Sequence, residues 1–185
     1  AWCLRRTGVV PPSPPHGGPP AWANGFLPAP YPGTILRGGA SPILNLNTPK
    51  GISPEQQQAT VNLINRLNRE SLPAGEENSE LTARISSYEL AFRMQSHAPE
   101  VVDVSTETAA TRKLYGLDEK ITAEFGLRCL LARRMAERGV RFIQLYCGDT
   151  HGWDGHSYVN GNHTKLSAQT ALPLPGLPAA LKARG

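Results

Sequence analysis

"VRFIQLYC" (residues 140–147) is an eight-residue run rich in β-branched and aromatic types, in which only Arg141 and Gln144 are polar. It predicts a strand covered on both faces, as parallel sheets require. Gly139 stands directly before it and closes a predicted helix that Asp118 caps and that Ile121, Phe125, Leu131 and Met135 line. Directly after it comes "GDTHGWDGHSYVNGNH" (148–163), a polar loop with three of the chain's five histidines. Helix, glycine, buried strand and polar loop follow one another as in an α/β protein. In such sheets, sites form at the carboxyl ends of strands, so this loop is where chemistry is expected.

Working back from the strand, the spacing predicts three more helices. Ser53 is the N-cap of the first, with Pro54 at its first position, Gln56 completing a capping box, and Val61, Ile64 and Leu67 on one face. A second runs from Ser79 to about His97, with Leu81, Ile85, Tyr88 and Phe92 as its stripe and Pro99 just beyond its end. A short third spans Ser105 to Tyr115 and stops at Gly116. Residues 1–50 carry eleven of the seventeen prolines and seven of the eighteen glycines, so irregular or extended backbone is expected there. Within that segment, Trp22, Phe26, Leu27, Tyr31, Ile35 and Leu36 are too apolar for a solvated tail and predict an ordered loop over a core. The chain therefore divides into a Pro/Gly-rich segment at 1–50 and an incomplete α/β domain at 51–185, which the ordered part of 20–50 joins. Past the loop, an amphipathic helix is expected from near Asn160, interrupted by Pro173, Pro175 and Pro178.

Composition narrows the function classes. Nineteen Lys and Arg against fifteen Asp and Glu give a formal charge of +4, which permits attraction to polyanions without requiring it. The densest basic group, Arg128, Arg133, Arg134, Arg138 and Arg141, is expected to form a solvated helix face. No basic-aromatic interleaving of the kind that stacks bases occurs, so a nucleic-acid partner is not expected. Cys3, Cys129 and Cys147 have no C-x-x-C spacing and predict neither a zinc ribbon nor a disulfide framework. No apolar run reaches the ~18–20 residues of a membrane span. Arg5-Arg6 lacks the apolar stretch an export signal needs. No G-x-S-x-G elbow, P-loop or dinucleotide fingerprint occurs.

Asp154 and His156 stand two apart, which places both side chains on one side of an extended segment and suits two ligands converging on one ion. His163 follows seven residues later and would face the same point from the first turns of a helix. Asp149 and His151 are weaker candidates, as ligands, as orienting partners or as plain loop residues. Nitrogen and carboxylate donors suit Zn²⁺ or Mn²⁺, but two ligands alone do not fix an ion, and D-x-H is short and common in loops, so spacing alone favours a polar turn without metal. Trp153 is expected to anchor the loop by packing. His16, in the Pro/Gly tract, and His97, at a helix end, are given structural roles. No role falls to Ser157.

Several stretches together resemble one family. "NGFLPAPYPGTIL" (24–36), "PILNL" (42–46), "LNRE" (67–70), "ISSYELAFRMQSHAPEVVDVSTET" (85–108), "TRKLYGLDE" (111–119), "FGLRCLLARRMAERGVRFIQLY" (125–146) and "GWDGHSYVNGNHTKL" (152–166) are similar to the sulfatase-like domain of unknown function 1501 family, placed in the alkaline phosphatase and sulfatase superfamily. The resemblance implies an alkaline-phosphatase-like, doubly covered sheet and a metal-dependent hydrolase site acting on a small-molecule ester. It matches the family's Trp-Asp-x-His to Trp153, Asp154 and His156, and its Asn-His to Asn162 and His163. A divalent ion (zinc, calcium, manganese or magnesium) would activate a nucleophile and stabilise the departing oxygens. The family's acidic ligand with its Ser or Thr, its Gly-Glu-Phe-Gly-Arg-Thr-Pro segment and its Gly-Arg-Asp-His segment do not occur here, so an internal fragment without a complete catalytic set is expected. Family membership implies a periplasmic or exported protein, although this chain shows no signal peptide. The rival expectation is a non-catalytic binding or structural module whose loop contacts a partner through Trp153 and Tyr158 without metal.

Overall fold

A computed structural model describes residues 2–5, 34–37, 48–71, 79–147 and 153–184. The elements are β1 (Trp2–Arg5), β2 (Thr34–Arg37), α1 (Pro54–Glu70), α2 (Ser79–Val102), α3 (Ala109–Leu114), α4 (Ala123–Glu137), β3 (Ile143–Leu145), α5 (Val159–Thr170) and α6 (Pro173–Lys182). The strands form a parallel sheet in the order β2-β1-β3, with Trp2 opposite both Thr34 and Ile143. β1 lies where the sequence carries no alternating pattern long enough to reveal a strand. β3 is three residues long rather than eight, and it alternates: Ile143 and Leu145 are half-buried while Gln144 is exposed. Phe142 is 63% exposed and stays outside the ladder. The strand is thus shorter than its β-branched composition suggests, and among the described residues its cover falls on one face.

The capping box of α1 forms as its sequence predicts, Ser53 Oγ accepting from the Gln56 amide and the Gln56 side chain from the Ser53 amide. α2 passes through Pro99 and ends at Val102. Proline removes one donor from the helix, but Val101 and Val102 pack on the core, and the Asp103 amide donates to the Pro99 carbonyl at 3.0 Å. Apolar burial therefore carries the last turn past the proline. α4 begins at Ala123, not after Asp118, whose carboxylate pairs with Arg112 instead. The hydroxyl of its N-cap Thr122 donates to the Gly116 carbonyl at 2.6 Å and so ties the helix to the preceding turn. Ile121 consequently lies outside the helix and is 61% exposed. Two of the tail prolines sit in the first turn of α6, where amide donors have no helical partner to lose, so α6 forms around them.

α4 is the hub. It packs against α2, α5, α6 and β3. One cluster joins Leu131, Ala132 and Met135 to Leu36 of β2. A second joins Phe125, Cys129 and Leu130 to Tyr115 and to Ala180 of α6. Gly126 lets α4 pass directly over the turn after α3: a Cβ there would stand 2.0 Å from the Tyr115 carbonyl oxygen.

The arginines of α4 do not form the solvated face their spacing predicts. Arg128 and Arg133 are buried, because partners compensate their charges inside the fold. Arg128 pairs with Glu124 and donates to the Tyr146 carbonyl at 3.0 Å. Glu107, only 10% exposed, takes Arg133 at 2.8 Å and Arg134 at 2.5 Å, and Arg134 also reaches the Glu100 carbonyl. The Arg133 guanidinium lies 5.7 Å from the centre of the Tyr115 ring.

Burial works to raise the Glu107 pKa, but the hydrogen bonds and charges of Arg134 and Arg133 outweigh it and hold the carboxyl below its ordinary 4.5. A depressed folded-state pKa adds stability above the unfolded value, and that stability is lost as pH falls through the folded value. Glu107→Gln should cost about 3 kcal/mol at neutral pH, since it takes the close carboxylate from the buried Arg133, which keeps only Glu137 at 3.4 Å, and from the half-buried Arg134. Urea melts as a function of pH should show this gap constant near neutrality and closing only below pH 4.5.

Candidate functional site

The loop after β3 is held at both ends by side chains that bind main-chain carbonyls. Arg128 donates to Tyr146 O at the end of the strand. The Trp153 indole N–H donates to Cys147 O at 3.1 Å, which ties together the two residues at the mouth of the loop. His163, from α5, contributes Nε2 to Trp153 O at 2.8 Å, and its ring lies 5.8 Å from that of Trp153, centre to centre, at 45°. A carbonyl oxygen only accepts, so Nε2 carries the hydrogen and Nδ1 is the nitrogen left to accept or to ligate.

Entry into α5 depends on two local features. Tyr158, its N-cap residue, takes the left-handed conformation with φ 51°, which is uncommon outside glycine. Its ring lies so close over Gly161 that a Cβ there would stand 1.8 Å from it. The Asn162 side chain donates to Ser157 O at 3.2 Å and holds the other edge of the turn.

Within this frame Asp154 and His156 approach each other, Oδ2 to Nε2 3.7 Å, with side chains 79% and 85% exposed. Two ligands of a tetrahedral zinc ion lie about 3.3 Å apart, given bonds of ~2.0–2.1 Å. At 3.7 Å, and with both side chains in solvent, the pair is within a small adjustment of one edge of a coordination polyhedron. It does not complete one: among the described residues no group of three His, Cys, Asp or Glu side chains converges. His163 gives Nε2 to the Trp153 carbonyl, so Nδ1 is the nitrogen left for the ligand or supporting role expected of it. Asp149 and His151 lie outside the described residues, as do His16 and the His97 side chain. Trp153 anchors the loop through its N–H, a directional bond that spacing alone does not reveal.

Cys129 is fully buried in the core, and that burial, with Cys147 nearby, pushes its thiol up to about 12. It is a core residue, neither nucleophile nor ligand at neutral pH.

If the Trp153 bond sets the mouth of the loop, Trp153→Phe removes one hydrogen bond while keeping an aromatic ring. We expect a loss of about 1 kcal/mol in chemical denaturation, together with faster amide exchange confined to the loop and the first turn of α5. Unchanged exchange there would show that the bond does not hold the loop.

A family model described as protein of unknown function (DUF1501) matches residues 6–185. No curated protein and no solved structure matches the chain. With nearly its whole length covered by that match, the chain belongs to the DUF1501 family.

Proposed function

We propose that this chain is part of a metal-dependent hydrolase domain of the alkaline phosphatase and sulfatase superfamily, with a small-molecule ester as substrate and Asp154 and His156 as ligands of a divalent ion. The observation that carries this reading is the Asp154–His156 pair, 3.7 Å apart and exposed, in the loop that leaves the carboxyl end of β3 in a parallel sheet. Ligands gather at that edge in α/β proteins generally. The donor set, one imidazole nitrogen and one carboxylate oxygen, suits zinc and manganese and does not separate them from calcium or magnesium. His163, donating one ring nitrogen to a carbonyl, has the bonding that orients a metal-binding or metal-supporting histidine.

A bound ion supplies Lewis acidity, which activates a nucleophile and stabilises charge on the departing oxygens. The chain's own residues hold that ion and fix the loop: Asp154 and His156 as donors, Trp153 and Arg128 as ties to the strand end. No described residue is assigned as the nucleophile, so we expect ion binding but no turnover from this chain alone. In the same reading the protein is exported to the periplasm. Among the described residues no helix is long and apolar enough to cross a membrane.

A second reading, a binding or structural module without metal, draws on the same loop: His163 and Trp153 already serve its fold through two main-chain carbonyls. Thermal melts of chelator-treated protein with added Zn²⁺, Mn²⁺, Ca²⁺ or Mg²⁺ separate the two. Under the metal reading at least one ion raises the midpoint, by about 2.7 kcal/mol of stability at a hundredfold excess over its dissociation constant. Asp154→Ala and His156→Ala, both at exposed positions, should abolish the rise without lowering the metal-free midpoint. Identical melts for all three proteins with and without ions would leave only the structural reading.

A further inference from the structure

A cleft of about 440 Å³ opens beside the loop, between the start of α4, the end of β3 and α5. Its size lies within the range of small-molecule sites, roughly 300–1,000 Å³. Neither Asp154 nor His156 lines it, so the metal reading makes no use of it.

The lining combines an apolar wall with an excess of positive charge. Phe125 and Ile121 supply the wall. Ile121 is a large aliphatic side chain left 61% exposed at this position, and a ligand body would cover it. Lys120, Arg128 and Lys165 face one carboxylate, Glu124. That carboxylate is engaged by Arg128, whose guanidinium is also fixed by the Tyr146 carbonyl. Lys120 and Lys165 make no ion pair with a carboxylate among the described residues. Two ammonium groups without an ion pair among the described residues, beside an apolar wall and in excess over the one carboxylate, favour an anion that also carries apolar surface.

We propose that this cleft binds a small organic anion, with the acid group held by Lys120 and Lys165 and the apolar body lying against Ile121 and Phe125. Inorganic sulfate or phosphate would satisfy the lysines and leave the wall uncovered. A neutral aromatic would cover the wall and leave the lysines without a partner. The site needs both parts, and it needs no metal.

Calorimetric titration of the chain in EDTA with 1-naphthoate tests this, with 1-naphthalenemethanol and inorganic sulfate as the two half-ligands. The expected result is saturable one-to-one binding of 1-naphthoate, with each half-ligand weaker by about tenfold or more. Lys120→Gln combined with Lys165→Gln should weaken 1-naphthoate by a similar factor. Both lysines are exposed, and an unchanged melting curve would confirm that the variant folds. No saturable binding of 1-naphthoate, equal binding of either half-ligand, or undiminished binding by the folded double variant would overturn the proposal. Chelation keeps this outcome independent of the ion assigned to Asp154 and His156.

Discussion

Glu107 lies between Arg133 and Arg134, and the rest of the described structure depends on that contact. A helix packed on most of its surface is expected to be apolar nearly all round, yet α4 carries two arginines into the interior. A buried guanidinium is tolerated only where a carboxylate and further hydrogen bonds replace its water. Glu107 supplies the charge for one pair, Glu124 and the Tyr146 carbonyl supply it for Arg128, and Tyr115 offers its ring face to Arg133. With these in place α4 can receive helices on several sides and the strand β3 on another.

That placement reaches the candidate site through main-chain carbonyls. Arg128 fixes the end of β3, Trp153 joins the far side of the loop to the same strand end, and His163 fixes Trp153 from α5. Each tie uses a side-chain N–H and a main-chain carbonyl, two of them just past the end of β3 and the third at Trp153 itself. The ends of the loop are thereby held by the α4 scaffold while Asp154 and His156 remain in solvent. This division suits a loop whose residues must meet a ligand, because the anchoring groups are not the ones offered for binding.

Legibility in the sequence follows the range of the interaction. The capping box of α1 is legible because Ser53 and Gln56 are three residues apart, and Gly139, with φ 84°, ends α4 as a local backbone requirement. The Asp154–His156 approach is likewise a two-residue matter. Long-range choices are not visible in this way. Helical spacing of arginines looks the same whether water or Glu107, twenty-six residues away from Arg133, satisfies them. The start of α4 moves from Asp118 to Ala123 because Arg112 draws Asp118 into an ion pair and Thr122 binds Gly116. β1 is four residues long and owes its pairing to strands far along the chain, so no local pattern announces it. The role of Trp153 as a hydrogen-bond donor is hidden for the same reason, since its partner carbonyl belongs to the backbone.

The claim on which the functional account rests is that Asp154 and His156 bind a metal ion together. X-ray absorption at the zinc edge, on chelated protein reconstituted with zinc, tests it most directly. The account predicts a first shell of nitrogen and oxygen only, at ~2.0–2.1 Å, with the outer-shell signature of imidazole lost in His156→Ala. A sulfur shell near ~2.3 Å, or an unaltered spectrum in the variant, would place the ion elsewhere and contradict it.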